Sequence, residues 1–343
     1  MHTPMHLFIN RYVSSNGQSL HCIKLDKATD PDAEYGGLLS YFDGAYFKLS
    51  ASSETKLNVF DIDLDFTENG VSAIPLKSET IMTIYATAKS ETITGAERTL
   101  IDRCVQEVYR DYSVSGGDEK YLPNFRTFYD LLVKHAQTDS VAAYVAQILG
   151  LYVTGSFNLF SGYTNIDTQK RFLIFDISAM GEQIRAVGLQ VILEYVWQRV
   201  VRNRKNGIRT WVWTDEFSTM FSNNGRETKK SGEFFAMVYR RIRKYGGVPT
   251  AMTQNLTEIL QNPEARSMLQ NSDFKVLLQQ DPDNLGAIQE LFKLSDHHLR
   301  YLKTGKPGTG LILCGTKIIP FEKPIPQDSL LYKICSTKFG ESI

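Results

Sequence analysis

Hydrophobic and polar residues are arranged in three different ways along this chain of 343 residues. Up to about residue 76, short apolar runs are broken by glycine, aspartate and serine. Runs of this kind predict strands joined by loops, and the clearest of them lie at residues 45–50 and 56–63. The first zone is therefore expected to form part of a sheet.

The second zone, from about residue 77 to residue 153, has helical spacing. Thr94 and Glu97 form a T-x-x-E capping box, and the apolar residues after them recur on one face of a helix. Two more helices are predicted at residues 125–134 and 139–152. This zone is expected to be a small all-helical subdomain packed on a sheet domain.

The third zone, from about residue 155 onward, alternates strands with helices. The predicted strands cover residues 171–178, 211–214, 248–253 and 274–280, and the predicted helices between them cover residues 182–205 and 234–244. Strands separated by helices of this length build a parallel sheet with helices on its faces. In such a sheet the ligand binds at the carboxyl ends of the strands, so the residues that follow each strand are the candidates for chemistry.

The composition is that of an ordinary folded protein, with 42% hydrophobic and 22% charged residues and a mean hydropathy of -0.24. Lys plus Arg (38) balance Asp plus Glu (38), so any site for a polyanion must be a local cluster of cations. The four cysteines form no C-x-x-C pair, which favours a reducing compartment and argues against structural zinc. No apolar run reaches the roughly 20 residues of a membrane span, and the N-terminus does not resemble a secretory signal, so a cytoplasmic location is expected.

Two adjacent carboxylates follow the predicted strand at residues 211–214. Asp215 can hold hydrated Mg²⁺, and Glu216 can orient or deprotonate an attacking water, as in a site that hydrolyses a nucleotide. The alternative is an acidic pair that begins a turn or caps the next helix. The residues alone leave both interpretations open.

Two further features admit both a functional and a structural interpretation. Gln254, after the strand at 248–253, can sense a γ-phosphate or simply cap the next helix. Arg240, Arg241 and Arg243 lie at a helix end, where cations are favoured by the helix dipole, or where an arginine can stabilise phosphoryl charge in its own subunit or across an interface. A second basic cluster at 199–209 is expected to solvate a helix end, although either cluster could face DNA phosphates.

Eight segments of the sequence together resemble one family. They are DPDAEYGGLLSYFDGAYFKLS (30–50), NVFDID (58–63), TNIDTQKRFLIFDIS (164–178), TWVWTDE (210–216), RRIRKYGG (240–247), PTAMTQN (249–255), LLQQ (277–280) and GTGLILCG (308–315). In order and content they resemble the ATPase domain of the conjugative type IV secretion ATPases, of the TraC and VirB-four type, over about residues 30–338.

The resemblance implies an α/β fold: a RecA-like P-loop domain of the FtsK and HerA kind, with a mostly parallel sheet flanked by helices. It divides the chain into an unmatched segment (1–29), a first part of the ATPase domain (30–76), an inserted helical subdomain (77–153) and the remainder with a C-terminal hairpin (154–343). It also implies ATP hydrolysis with Mg²⁺, a homo-oligomer such as a hexamer, and peripheral attachment to a secretion complex at the inner face of the cell membrane.

The resemblance also assigns roles to individual residues. Asp215 and Glu216 match the Walker B pair, with Asp215 holding Mg²⁺ through water; Arg240, Arg241 and Arg243 match the arginine motif; Gln254 matches the glutamine after the next core strand, and Gln280 a further motif glutamine. Asp215, Gln254 and Gln280 are accordingly the expected nucleotide-binding residues.

The phosphate-binding loop of that family, G-x-x-x-x-G-K-[ST], has no match in the sequence. Residues 304–310 contain Gly305 and Lys306, but a proline follows the lysine and the segment precedes a strand. We therefore expect a chain that begins downstream of the loop, through truncation, a frameshift or a mis-assigned start. A core strand and helix would then be missing, and a sheet edge uncovered, unless residues 1–29 replace them.

Three functions are compatible with this sequence. The first is a motor ATPase of conjugative transfer that energises assembly or the transfer of DNA or protein. The second is a catalytically incompetent paralogue that keeps the fold and acts only as an assembly subunit. The third, a DNA-binding module built on the basic clusters, is disfavoured by the formal net charge of zero.

Overall fold

The computed structural model describes residues 19–24, 31–50, 53–68, 70–167, 169–221, 232, 235–236, 239–254, 256–303, 308–322 and 325–335. The chain divides into two compact units. The first, which we call the sheet unit, comprises Gly17–Lys27 and Ala45–Met252. The second, the hairpin unit, comprises Met1–Asn16, Ala28–Gly44 and Thr253–Ile343. The domain boundaries expected from the sequence stay predictions.

The described part of the chain contains both strands and helices, with an all-helical stretch between β4 and β5. Its strands are β1 (Ser19–Lys24), β2 (Ala45–Lys48), β3 (Thr67–Glu68), β4 (Val71–Ser72), β5 (Phe172–Asp176), β6 (Thr210–Thr214), β7 (Gly247–Ala251), β8 (Phe274–Leu277), β9 (Thr309–Cys314) and β10 (Lys317–Glu322). Its helices are α1 (Pro31–Phe42), α2 (Ala73–Lys89), α3 (Gly95–Val108), α4 (Arg110–Val114), α5 (Phe125–His135), α6 (Ser140–Val153), α7 (Glu182–Lys205), α8 (Leu256–Gln261), α9 (Pro263–Asn271), α10 (Leu285–Phe292), α11 (Asp296–Lys303) and α12 (Leu330–Cys335).

A parallel sheet of five strands, in the order β2-β5-β1-β6-β7, forms the centre of the sheet unit. All five residues of β5 are buried, as expected for a strand covered on both faces. Strand β1 pairs with β5 on one side and with β6 on the other. The segment 1–29, which the resemblance left unmatched, therefore supplies a central strand.

The helices of the sheet unit begin where the sequence signals indicated. Thr94 caps α3 by accepting a hydrogen bond from the Glu97 backbone N–H, and the Glu97 side chain accepts one from the Thr94 N–H. The amphipathic helix predicted at residues 182–205 is α7. Helices α5 and α6 lie at the two other predicted positions, with Asn124 and Asp139 as their N-caps.

The strand predicted at residues 56–63 does not form, and that prediction is wrong. Leu57 and Phe60 are buried as the apolar pattern required, but no strand pairs with them. Side chains satisfy the backbone of this segment instead: Asn165 Oδ1 accepts from Lys56 N–H at 2.7 Å, and Thr164 Oγ1 accepts from Asn58 N–H at 2.9 Å. A loop whose amides are already bonded has no need of a partner strand.

The predicted strand at residues 274–280 forms as β8, but it does not belong to the parallel sheet, contrary to our expectation. It lies in a separate antiparallel sheet of the hairpin unit, in the order β10-β9-β8. Strands β9 and β10 form the expected C-terminal hairpin. Leu277, Leu311 and Leu313 on one face of this sheet are buried and build the core there.

Gly310→Ala is expected to lower the free energy of unfolding by roughly 2–3 kcal/mol, because an added methyl group would overpack this sheet. An alanine Cβ would lie 2.3 Å from the backbone oxygen of Leu277 and 3.1 Å from the Phe321 ring. Urea denaturation measures the effect. The control is Gly286→Ala in α10, where the added Cβ meets nothing within 4 Å and stability should hold or rise. Equal effects of the two changes would contradict the packing argument.

Glu97 gives the helical region a specific dependence on pH. Burial alone would raise the pKa of this carboxyl group, but hydrogen bonds from the Thr94 backbone, Tyr85 and Lys89 lower it from 4.5 to about 2. Because the pKa is lowered on folding, the stabilisation is present above pH 4.5 and is lost as the pH falls towards 2.

We therefore expect the stability difference between the wild type and Glu97→Gln to be largest above pH 5 and to shrink steadily as the pH is lowered towards 2. Thermal unfolding of both proteins across this range measures the difference. A constant difference over the range would show that ionisation of Glu97 does not stabilise the fold.

Candidate functional site

The acid pair lies at the carboxyl edge of the parallel sheet, where the sequence analysis expected it. Asp215 and Glu216 directly follow β6, whose neighbours β1 and β7 run in the same direction and end at the same edge. Asp215 is only 7% exposed, and its Oδ1 accepts a hydrogen bond from the Glu216 N–H at 3.0 Å. Glu216 is half-buried. The two carboxylates thus belong to one turn at the position where ligands bind in sheets of this type.

The backbone of Glu216 is in the left-handed region, with φ 47° and ψ 44°. A side chain there costs of order 1–2 kcal/mol, so surrounding contacts must enforce it. The strand end of β7 provides them: Met252 N–H donates to Thr214 O at 2.9 Å, and Phe217 N–H donates to Met252 O at 2.8 Å. Tertiary hydrogen bonds therefore fix the direction in which Glu216 leaves the sheet.

Asp176, the last residue of β5, is a second carboxylate at this edge, and the sequence analysis did not count it among the candidate residues. It is fully buried, and it accepts hydrogen bonds from the Ser178 N–H at 2.8 Å and from the Tyr46 hydroxyl. In the register of the sheet Asp176 is paired with Lys24, the last residue of β1. Strand β1 lies between β5, which ends in Asp176, and β6, which leads to Asp215. The shared signal, an apolar strand ending in aspartate, could have revealed it.

The arginine cluster lies at the opposite edge of the sheet. Arg240, Arg241 and Arg243 come shortly before β7, whereas the acid pair comes directly after β6. Strands β6 and β7 are paired in register over five residues, so about 13 Å of strand separates the two groups. The structure does not bring the arginines and the acids of one chain together.

The Arg241 side chain is held within the sheet unit. Its Nε donates to Glu68 Oε1 at 3.0 Å, a second guanidinium nitrogen donates to Glu68 Oε2, and the guanidinium lies 5.2 Å from the centre of the Trp197 ring. The Glu68 carboxylate, as hydrogen-bond acceptor, raises the pKa of this guanidinium. Arg240 and Arg243 are exposed.

The two glutamines belong to the hairpin unit. Gln254 is exposed and follows β7 by three residues. Gln280 is half-buried; its Nε2 donates to Leu278 O and its backbone N–H donates to Leu302 O, both at 3.1 Å. Their roles in nucleotide binding stay predictions.

The donor set at the acid pair fits one mode of magnesium binding. Within the described ranges, no group of three or more His, Cys, Asp and Glu residues is placed to hold a metal. Mg²⁺ that is bound with a nucleotide needs only one or two protein carboxylates, because phosphates and waters complete its shell. Asp215 at the strand end fits this requirement, and a dedicated protein cage is not needed.

The family follows from comparison with known domains. The family model described as the TraG P-loop domain matches residues 5–304. The chain belongs to this family. The match confirms the resemblance to the conjugative type IV secretion ATPases, and nothing in it favours a catalytically incompetent paralogue. No curated protein matches this chain.

A solved structure agrees with this member of the TraG P-loop family in fold. VirB4 of Thermoanaerobacter pseudethanolicus aligns over 96% of this chain and 87% of that chain, with 22% identity and a TM-score of 0.74. This match confirms the RecA-like α/β fold. The bacterial conjugative coupling protein TrwBdeltaN70, in its trigonal form with sulphate, covers 90% of this chain and 85% of its own, at 10% identity and a TM-score of 0.44.

The length and hydropathy of the helices show whether any of them could span a membrane. Within the part of the chain that the structure describes, none is both long and apolar enough to cross a bilayer.

Proposed function

We propose that this chain is the ATP-hydrolysing motor domain of a conjugative type IV secretion system, which energises assembly of the machine or transfer of DNA or protein. The observation that supports the proposal best is the position of Asp215 and Glu216 at the carboxyl edge of the parallel sheet, in a member of a P-loop family. An acid pair at this position can serve both the metal and the water of a hydrolytic reaction.

In this proposal the two acids divide the chemistry. Asp215 would hold Mg²⁺ through water, and the chemistry that the ion would supply there is neutralisation of charge on the ATP phosphates. Glu216 orients the attacking water and receives its proton. The strained backbone of Glu216 supports this role, because strain of this kind is retained where the direction of a side chain matters.

The phosphate-holding half of the proposed site is not identified by a motif. No stretch of the sequence fits G-x-x-x-x-G-K-[ST], the loop whose amides and lysine hold the β- and γ-phosphates in P-loop proteins. Binding and hydrolysis of ATP must therefore be measured separately.

The remaining assignments concern residues away from the acid pair. We assign Gln254 to sensing of the γ-phosphate and Gln280 to the nucleotide site. The arginine motif of Arg240, Arg241 and Arg243 would serve a nucleotide held by a neighbouring copy, since it lies at the edge opposite to the acids of its own chain. This arrangement requires a homo-oligomer, for which a hexamer is the expected form. Its partners would be components of the secretion complex, with the chain held peripherally at the inner face of the membrane.

The test combines calorimetric titration of ATP, with and without Mg²⁺, and measurement of phosphate release. The proposal expects Mg²⁺-dependent binding and turnover. Binding without any turnover would contradict the motor function, and absence of both would contradict the nucleotide site itself.

A further inference from the structure

The basic cluster before β7 is divided by the geometry of the segment that carries it, which is helical at residues 239–242 and forms a 3₁₀ turn at Arg243–Tyr245. Arg240, Arg243 and Lys244, three or four positions apart, are all exposed. Arg241 and Tyr245, also four positions apart, lie on the other side and pack inward. One face of this short segment therefore carries exposed cations, while the other joins it to the sheet unit.

The inward face is held from two directions. Glu68 on β3, only 5% exposed, accepts both hydrogen bonds from the Arg241 guanidinium. Trp197 on α7 lies against Arg241 and packs edge-on against Tyr245, with ring centres 4.8 Å apart. The guanidinium of Arg204, also on α7, lies over the Tyr245 ring, 4.9 Å from its centre.

These contacts are specific to a guanidinium. Two parallel hydrogen bonds to one carboxylate fix the plane of the side chain, and the Trp197 ring stabilises the positive charge above it. Withdrawal of Arg241 would leave the buried Glu68 carboxylate without its cationic partner and with the Tyr245 hydrogen bond in place of an ion pair, which is costly. Arg241 is therefore poorly suited to leave its place and contact a phosphate.

We infer that Glu68 and Trp197 are positioning residues, which hold Arg241 as an anchor so that Arg240 and Arg243 are presented in a fixed direction to a phosphate group. The inference rests on the proposed function for the origin of that phosphate, a nucleotide held by a neighbouring copy. It separates the three arginines into one anchor and two candidates for phosphate contact.

The experiment exchanges the charges of the anchor. Four proteins are compared with the wild type: Glu68→Gln, Arg241→Lys, the double variant Glu68→Arg with Arg241→Glu, and Asp63→Asn. The last is the control, because Asp63 forms an exposed ion pair with Lys205 at 2.8 Å in the same unit. Two readouts are taken: ATP turnover with ATP affinity, and the rate of tryptic cleavage after Arg240, Arg243 and Lys244, followed by mass spectrometry.

Glu68→Gln should lower turnover at least tenfold with ATP affinity unchanged within twofold, and should speed cleavage at these three residues at least fivefold. Arg241→Lys should give intermediate values, because lysine keeps the charge without the paired hydrogen bonds. The charge exchange should move both readouts part of the way back towards the wild type, because it re-forms the ion pair but loses the contact of a cation with the Trp197 ring. Asp63→Asn should change neither readout.

Two results would overturn the inference. If the charge exchange restored protection from trypsin but not turnover, Arg241 itself would be the phosphate contact. If Glu68→Gln left the cleavage rate unchanged, Glu68 would not position the segment. Absence of ATP turnover in the wild-type protein would refute the proposed function but not this inference. The tryptic cleavage rates would still show whether Glu68 holds the segment that carries Arg240 and Arg243. Circular dichroism identifies any variant that fails to fold. If one of the Glu68 variants does not fold, Arg241→Lys, which keeps the positive charge, takes its place in the comparison.

Discussion

Replacement of Glu216 by glutamine is expected to lower the rate of ATP hydrolysis by about 10²–10⁴-fold while ATP affinity stays within about twofold. Glutamine keeps the size of the side chain and can still orient a water, but it cannot accept a proton. The hydrogen bonds from Met252 N–H to Thr214 O and from Phe217 N–H to Met252 O join backbone atoms on either side of Glu216, so the turn should persist. The measurement is phosphate release under single-turnover and steady-state conditions.

Asp215→Asn should also lower the rate of ATP hydrolysis, but through weaker binding of Mg²⁺. Loss of the carboxylate weakens the hold on hydrated Mg²⁺, so the concentration of Mg²⁺ needed for half-maximal rate should rise as the rate falls. Glu290→Gln, an exposed acid on α10, is the control and should leave the rate unchanged. A Glu216→Gln protein that hydrolyses ATP at the wild-type rate would show that the water is activated elsewhere.

Lys77→Met is expected to lower the free energy of unfolding by about 3–5 kcal/mol, the largest stability effect predicted for this chain. Lys77 is 2% exposed, and its Nζ donates to Glu194 Oε1 at 2.8 Å and to Val59 O at 2.9 Å. Burial would raise the pKa of Glu194, but the ammonium of Lys77 lowers it, so the carboxylate is charged in the folded protein. Removal of the lysine leaves a buried, unpaired charge where α2 meets α7.

The double variant Lys77→Met with Glu194→Leu should recover most of this loss, because two apolar side chains of similar volume replace the pair without an orphaned charge. Arg126→Ala serves as the control, since its ion pair with Asp130 is exposed on one helix and should contribute no more than about 0.5 kcal/mol. Chemical denaturation measures all three. A loss below about 1 kcal/mol for Lys77→Met would mean that water or a rearranged neighbour compensates Glu194.

Local signals allowed several elements to be predicted from the sequence. The capping box at Thr94 and Glu97 set the start of α3, because its hydrogen bonds join residues three apart. The amphipathic pattern gave the bounds of α7, and short apolar runs gave β5, β6 and β7. The acid pair could be placed at the sheet edge for the same reason, since it directly follows one of these strands.

Other features could not be predicted, because their partners are distant in sequence. The loop at residues 56–63 has the apolar pattern of a strand, but Asn165 and Thr164, more than 100 positions away, take the hydrogen bonds that a strand would have used. The apolar run of β8 is compatible with either sheet, and only its pairing with β9 decides between them. Strand β1 is polar in part, yet its pairing on both sides makes it central.

The sequence by itself determined the helices α3, α5, α6 and α7, the strands β5, β6 and β7, and that two carboxylates follow an apolar strand, because these properties depend on spacing within about one turn or one strand. The tertiary structure decided which edge each charged group occupies. It placed Arg241 on Glu68, 173 positions away, and buried Lys77 against Glu194, 117 positions away. No local sequence pattern indicates which residue will pair with a given charge. The free energy of burying two charges depends on their desolvation and on their attraction, and both are fixed only when folding brings the two groups together.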